Sequence, residues 1–511
     1  MLLAMSDMTT IAEENRILRK EMDALRSTNK ALSNQVDFQS EQIEALEEEI
    51  RLWRHRRFGA SSEKFAGMRG LFDEAESDAR EESESPEAAS DAEKPPRKKR
   101  RKRSFPQAWE RKDVHHDLTD EEKVCSCGCG MHRIGEDVSE ELEFIPAKFR
   151  VLRHIRYKYG CRGCQESMKT APAPARILPG SMAGPGLLAH IAVSKYSDAM
   201  PLSRQEGILN RAGADLPANT LARWMIRIAE ELKPLLKIVE KDLLSGATLY
   251  MDETTVQVLN EAGRAATSKS YMWCMIRADG PVIVRFRYSP SRSASVATDL
   301  LGGFSGRLMT DAYPGYDSAQ RQTGFTLHNC WSHGRRGFAD AEKASKKKGR
   351  LIGEGLKMIR KLYRIEKSVS DSPPEMVLET RLRESKPVVE KLRAWLDLNR
   401  PKVPPSGALG RAMGYLDNHW DKLVRFLEDG RMPIDNNACE NAIRPFCVGR
   451  KNWTFSSSVR GAQASADIYS LIQTAVKNGR EPYAWLRDTL TRMPACSTEA
   501  EYRALLPYTL P

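Results

Sequence analysis

The sequence contains no run of about 18 apolar residues, the length a membrane-crossing helix needs. Its opening MLLAM passes at once into polar residues, too short for the apolar stretch of a secretory leader. These two absences predict a soluble, intracellular chain without a membrane partner. Cysteine is scarce, 10 in 511 residues, which excludes a disulfide-stapled scaffold. Five of the ten crowd between Cys125 and Cys164, a clustering that in a reducing compartment points to metal. An acidic excess is missing too: 80 Lys and Arg against 69 Asp and Glu leave a net charge of +11. That balance favours a polyanionic partner, nucleic acid ahead of an anionic membrane surface. The length predicts roughly three or four separate units.

What the sequence does contain begins with a seven-residue repeat. Ile11, Leu18, Leu25, Leu32, Gln39, Leu46 and Trp53 fall on one line, and Asn15, Met22, Asn29, Val36, Ile43 and Ile50 on another. A strict 3.5-residue period without Gly or Pro predicts a coiled coil, since a lone amphipathic helix drifts off that period. Asn at two a positions, with Glu14 facing Arg19 and Glu21 facing Arg26, favours a parallel homodimer. The same stripe also permits packing of this helix on the body of its own chain. Residues 73–93 then carry ten acidic side chains, and KPPRKKRRKR at 94–103 carries eight basic ones. Too little apolar surface remains there to fold, which predicts a linker whose basic half is either a phosphate-gripping arm or simply solvated.

Cys125-Ser-Cys127-Gly-Cys129 lies 31 residues before Cys161-Arg-Gly-Cys164. Two thiolates in a Gly-bearing turn can point at one tetrahedral ion, and a second such turn completes a structural Zn²⁺ site. Cys125, Cys129, Cys161 and Cys164 are the candidate ligands, with Cys127 as an alternative and His115, His116, His132 or His154 as substitutes. Between the pairs, FRVLRHIRYKYG reads as a basic strand presenting Arg150, Arg153, Arg156 and Lys158. Residues 186–235 read as helices interrupted at Met200-Pro201 and at Gly213–Pro217, with Asn219-Thr220 as the N-cap, the outline of a helix-turn-helix.

From residue 247 the period changes to strands: ATLYMDETTVQVL, SYMWCMIRA and PVIVRFRYSP, then a helical SASVATDLL and the strand GRLMTDAYPGY. Asp252 lies inside the first strand and Asp311 at the end of the last. A carboxylate in an otherwise apolar strand is expensive unless it is paired or binds a cation. Oxygen ligands suit Mg²⁺ or Mn²⁺. The missing third carboxylate is found in Glu440, at an apparent helix start in DNNACENAIRPFCVGRKNW, followed by Arg444, Arg450 and Lys451. Strand alternation turns Glu253 to the other face, so it ranks, with Asp435, as a decoy.

The order MDETTVQV, TDAYPGY, CWSHGRRGF and DNNACENAIRPFCVGRKNW, preceded by RRFGASSEKF and by RIGEDVSEELEFIPAKFRVLRHIRYKYGCRGC, resembles the large transposase subunit of the insertion sequence 66 family of DDE transposases. The likeness runs over nearly the whole chain, with CSCGCG as the departure from a regular first cysteine pair. It implies an α/β ribonuclease H-like core in which Asp252, Asp311 and Glu440 hold two divalent metals. Those metals serve cleavage at element ends and strand transfer into target DNA. It further implies phosphate contacts from His333, Arg336, Arg444, Arg450 and Lys451, double-stranded DNA as partner (terminal inverted repeats and target), and a cytoplasmic, nucleoid-associated location. Small accessory transposition proteins are further candidate partners. The 128 residues between Asp311 and Glu440 exceed one connection, which predicts a helical insertion. The expected organisation is a coiled coil at 1–58, a linker at 59–104, a zinc module at 105–172, a helix-turn-helix-like DNA-binding region at 173–240, the first part of the core at 241–338, a helical insertion at 339–430 and core completion at 431–511. Rival readings are a regulator derived from such an enzyme, a nuclease that cuts without joining, and a scaffold.

Overall fold

The computed structural model describes residues 2–58, 149–160, 168–345 and 349–509. The five clustered cysteines, the linker and Lys346 to Lys348 fall outside them. No helix among the described residues is long and apolar enough to cross a membrane.

One helix, α1 (Leu2–Phe58), carries the heptads. Its a and d side chains from Met22 to Trp53 are exposed, Leu25 by 69% and Trp53 by 53%. Contact with the rest of the chain is made by another face: Arg51 Nε donates to Ala344 O at 2.8 Å, Glu48 Oε2 accepts from Ala408 N at 2.8 Å, and Leu52 packs on apolar side chains. Residues 48, 51 and 52 are f, b and c positions, so the helix docks by its back and leaves the seam clear.

Of the expected basic strand, only β1 (Lys158–Gly160) forms, antiparallel to β2 (Met168–Thr170). Residues 149–157 carry no regular secondary structure, because the ladder supplies a partner for three residues only. The helical stretch resolves into α2 (Pro185–Tyr196), α3 (Leu202–Arg211), α4 (Ala218–Glu231) and α5 (Lys233–Leu244). Gly213, at φ +87°, makes the turn between α3 and α4. The N-cap of α4 is Pro217 rather than Asn219-Thr220, which lie inside the first turn; Thr220 N already donates to Pro217 O at 2.8 Å.

The sheet is built from β3 (Thr248–Asn260), β4 (Lys269–Arg277), β5 (Ile283–Ser289), β6 (Arg307–Thr310) and β7 (Thr326–Asn329), in the order β5-β4-β3-β6-β7. Helix α6 (Ala294–Leu300) crosses from β5 to β6, and α7 (Pro314–Thr323) from β6 to β7. β4 runs antiparallel to both β3 and β5, whereas β6 and β7 run parallel to β3. Four-residue β7 has no apolar alternation to announce it: His328 and Asn329 are polar yet buried. β3 is central, covered on both faces from Thr248 to Met251 and alternating further on.

After β7 come α8 (Trp331–Ala344), α9 (Arg350–Ser368), α10 (Pro374–Thr380), α11 (Lys386–Asn399) and α12 (Ala408–Asn418), the helical insertion. They enclose a second core that already includes Trp331 and Phe338. The chain returns to the sheet through α13 (Asn437–Trp453), β8 (Ser456–Ser458), α14 (Val459–Lys477) and α15 (Pro482–Arg492). β8 pairs with the far end of β3, Val258 to Ser456.

Helix α14 seals the β5 edge. Phe286 N donates to Ser470 Oγ (2.8 Å), Val284 N to Thr474 Oγ1 (3.0 Å) and Val282 N to Asn478 Oδ1 (3.2 Å). Four helical residues rise about 6 Å and two strand residues about 6.6 Å. Side chains spaced i, i+4, i+8 therefore meet alternate amides of the edge and leave it no template for another strand.

Candidate active site

Backbone register places the first two acids. Tyr250 is the parallel partner of Met309, so two residues further along Asp252 and Asp311 stand side by side where β3 and β6 leave their covered halves. Asp252 Oδ1 accepts from Glu253 N at 2.8 Å. Burial pushes its carboxyl well above the ordinary range, and the charges of Glu253, Asp311 and Glu440 push it further. Burial and like charges there favour the neutral acid, and a bound cation would restore the anion.

Glu440 arrives by another route, in the first turn of α13, with 2% of the residue exposed. Asn436 pins the start of that helix to β3 through Nδ2 to Met251 O (3.1 Å), while its own amide donates to Cys330 Sγ (3.1 Å). Cys439 Sγ reaches Cys274 O, on the strand residue paired with Asp252. Arg336 Nη2 donates to Glu440 Oε2 at 3.4 Å, and His333 Nδ1 stands 3.8 Å from Oε1, which has no hydrogen-bond partner. Burial holds the His333 ring below its ordinary pKa.

The two acids ranked as decoys are both engaged, and Glu253 lies close enough to Asp252 and Asp311 for their charges to act on one another. Glu253, opposite Trp273 in the register, is ion-paired with Arg292 and accepts from Tyr316 OH at 2.6 Å. Arg292 also lies 3.4 Å from Asp311 Oδ2 and stacks on the Tyr313 ring at 4.0 Å. Asp435 receives Asn437 N (3.1 Å) and Asn437 Nδ2 (2.9 Å), and burial lifts its carboxyl to about 6. The sequence marks Asn436 beside Glu440 at the helix start, but neither Arg292 nor Tyr316 stands out in it. Arg292 sits in SPSRSAS, a polar loop with no periodicity to mark it.

Of the expected phosphate-binding residues, His333 and Arg336 flank Glu440. Arg450 turns to β3, its Nη1 donating to Thr254 Oγ1 at 2.9 Å and Thr255 Oγ1 at 3.2 Å. Arg444 follows Glu440 one turn on, and Lys451 is exposed in the last turn of α13. Cys125, Cys127, Cys129, Cys161 and Cys164 lie outside the described residues.

Comparison with known proteins agrees with this arrangement in its order along the chain. Residues 180–464 match the family described as "Transposase IS66 family", and 470–508 the "IS66 C-terminal element". Residues 122–165 match the "zinc-finger binding domain of transposase IS66", and 45–114 a domain described as "Transposase C of IS166 homeodomain". Two relatives from Sinorhizobium fredii carry uncharacterized status in their names: protein y4jD is 35% identical over 402 residues, 76% of this chain and 78% of its own length. Protein y4qI is 34% identical over 451 residues, 86% of this chain and 82% of its own. With more than half of its length matched by the family's central domain and zinc-finger and C-terminal domains on either side, the chain belongs to the IS66 family of transposases.

Proposed function

We propose that this transposase cleaves DNA at the ends of an insertion sequence and joins the freed ends to target DNA in one ribonuclease H-like site, with Asp252, Asp311 and Glu440 as the catalytic acids. The observation that carries the reading is the convergence on β3: parallel register sets Asp311 beside Asp252, and the Asn436–Met251 hydrogen bond docks the start of the Glu440 helix at the residue before Asp252, although 128 residues separate Asp311 from Glu440. The strand order, with three antiparallel strands followed by two parallel ones, supports the core assignment.

Mg²⁺ or Mn²⁺ held by these acids would supply activation of the attacking oxygen and stabilisation of the leaving one. Asp252, Asp311 and Glu440 would hold the ions, each through its carboxylate. Arg336 and His333 hold Glu440 from behind and offer cationic or hydrogen-bonding contact to a phosphate entering beside it. Water as nucleophile releases a 3′-hydroxyl, and that hydroxyl then attacks target phosphorus in line, with no covalent link to protein.

The flanking regions take their roles from the same chemistry. On α4 the exposed stripe Asn219, Arg223 and Arg227 recurs every fourth residue, a polar and basic face opposite buried Leu221, Trp224 and Ile228. Such a face suits phosphate and base edges, and we assign residues 173–240 to DNA recognition. The clear a/d seam of α1 supports a homodimer through residues 1–58, and we assign structural Zn²⁺ in the module at 105–172 to Cys161, Cys164 and two of Cys125, Cys127 and Cys129.

A strand-transfer assay with labelled terminal repeats in Mg²⁺ checks this reading. Asp252→Ala, Asp311→Ala and Glu440→Ala should bind ends and join none. Joining at parental rates by any of the three removes it.

A further inference from the structure

Beside the acids lies a ligand set of different chemistry. Cys330 Sγ, a ring nitrogen of His333 and a carboxylate oxygen of Glu440 lie within 4.8 Å of one another. Local structure explains the meeting. Cys330 is the N-cap of α8 and His333 follows three residues later, so the two project from the same turn. Glu440 approaches from the first turn of α13, which Asn436 ties to Cys330 Sγ by its amide. Two of the polar atoms that face one another, His333 Nδ1 and Glu440 Oε1, are buried and have no hydrogen-bond partner, an expensive state for side chains in a close-packed interior. Cys330 is wholly buried and Glu440 is 2% exposed, whereas the His333 side chain keeps 29%.

We infer that Cys330, His333 and Glu440 form a site for a borderline divalent cation of the Zn²⁺ or Co²⁺ class, separate from the hard-cation site, and that its occupation withdraws Glu440 from Asp252 and Asp311 and so inhibits strand transfer. One sulfur, one nitrogen and one oxygen donor suit three corners of a tetrahedral ion. Thiolate and imidazole select such ions over Mg²⁺, which takes oxygen donors. Binding forms the sulfur–metal bond as the Cys330 S–H proton leaves to solvent, with no change of oxidation state. The inhibitory part rests on the reading of Glu440 as the third acid; the binding part does not.

The test is Co²⁺ titration of the full chain and of Cys330→Ser and His333→Gln, read by bound metal per chain and by thiolate-to-cobalt charge-transfer absorption. The cysteine module contributes equally to all three, so the difference isolates this site. The parent should bind one Co²⁺ more than either variant, and the parent-minus-Cys330→Ser spectrum should carry the charge-transfer band. Equal stoichiometry and superimposable spectra, in variants whose circular dichroism matches the parent, overturn the site. Glu440→Gln separates the two claims: loss of joining with undiminished cobalt binding removes this site and leaves the catalytic reading intact. In Mg²⁺, added Zn²⁺ should lower parental strand transfer at least tenfold, and unaltered joining at Zn²⁺ levels that fill the site overturns the inhibitory role.

Discussion

Asp252 and Asp311 are positioned by main chain, and Glu440 by side chains. The first two sit at equivalent places on adjacent parallel strands, where slipping by one residue would turn every neighbour to the wrong face. The third rides on a helix that reaches the sheet after the whole insertion, held at its start by Asn436, Cys439 and the Arg336 and His333 pair. A strand-borne acid is as secure as the sheet itself. A helix-borne acid moves when one docking contact is lost, and that difference sets how each fails.

The largest effect belongs to the strand side. Asp252→Asn should reduce strand transfer by about 10³-fold or more, as expected for loss of a metal-binding group. It should also raise the melting temperature of the metal-free protein, since a buried anion beside three other carboxylates is removed. Mg²⁺ should stabilise the parent and not the variant, as read by thermal melts. A variant that melts lower and still responds to Mg²⁺ would break the assignment.

The sheet's own security can be probed at Arg285, whose side chain is 4% exposed and ion-paired with Asp467 at 2.8 Å. Asp467→Ala should cost about 3 kcal/mol in urea unfolding, because it strands a buried guanidinium. A loss below about 1 kcal/mol would show that Glu240 alone suffices to pair it.

On the helix side, Asn436→Ala should slow joining roughly tenfold to a hundredfold, the scale of a misplaced catalytic group, with a stability change of only about 1 kcal/mol. Parental joining rates would mean that α13 is held elsewhere.

Asp435 predicts a pH signature on the same helix. Its folded pKa, about 6, lies above the unfolded carboxylate value, so its contribution to stability is full below about pH 4 and is lost as pH rises towards 6. Asp435→Asn should flatten the metal-free stability profile across that window, measured by denaturant midpoints. An unchanged slope would assign the loss to other acids.

The smallest effect is expected where α1 meets the insertion: Glu48→Ala should cost under about 1 kcal/mol and leave dimerisation, followed by sedimentation, unchanged. Loss of self-association would assign the proposed contact between copies to the back face and not to the heptad seam.

Period and composition alone determined a good deal: the heptads of α1, the change from helices to strands near residue 247, the helical insertion, and the suspicion attached to Asp252, a charge amid apolar strand residues. These are local properties, carried by spacing along a few turns or strands. The basic strand through Arg150 and Arg153 failed because a strand needs a partner, and its partner is three residues long. Only the folded chain decided that Arg292 bridges Glu253 and Asp311, that Arg450 is drawn to Thr254 and Thr255, and that Cys330 and His333 meet Glu440. Each of those contacts joins groups on separate elements through non-periodic loops, and no spacing in the sequence encodes such a distance.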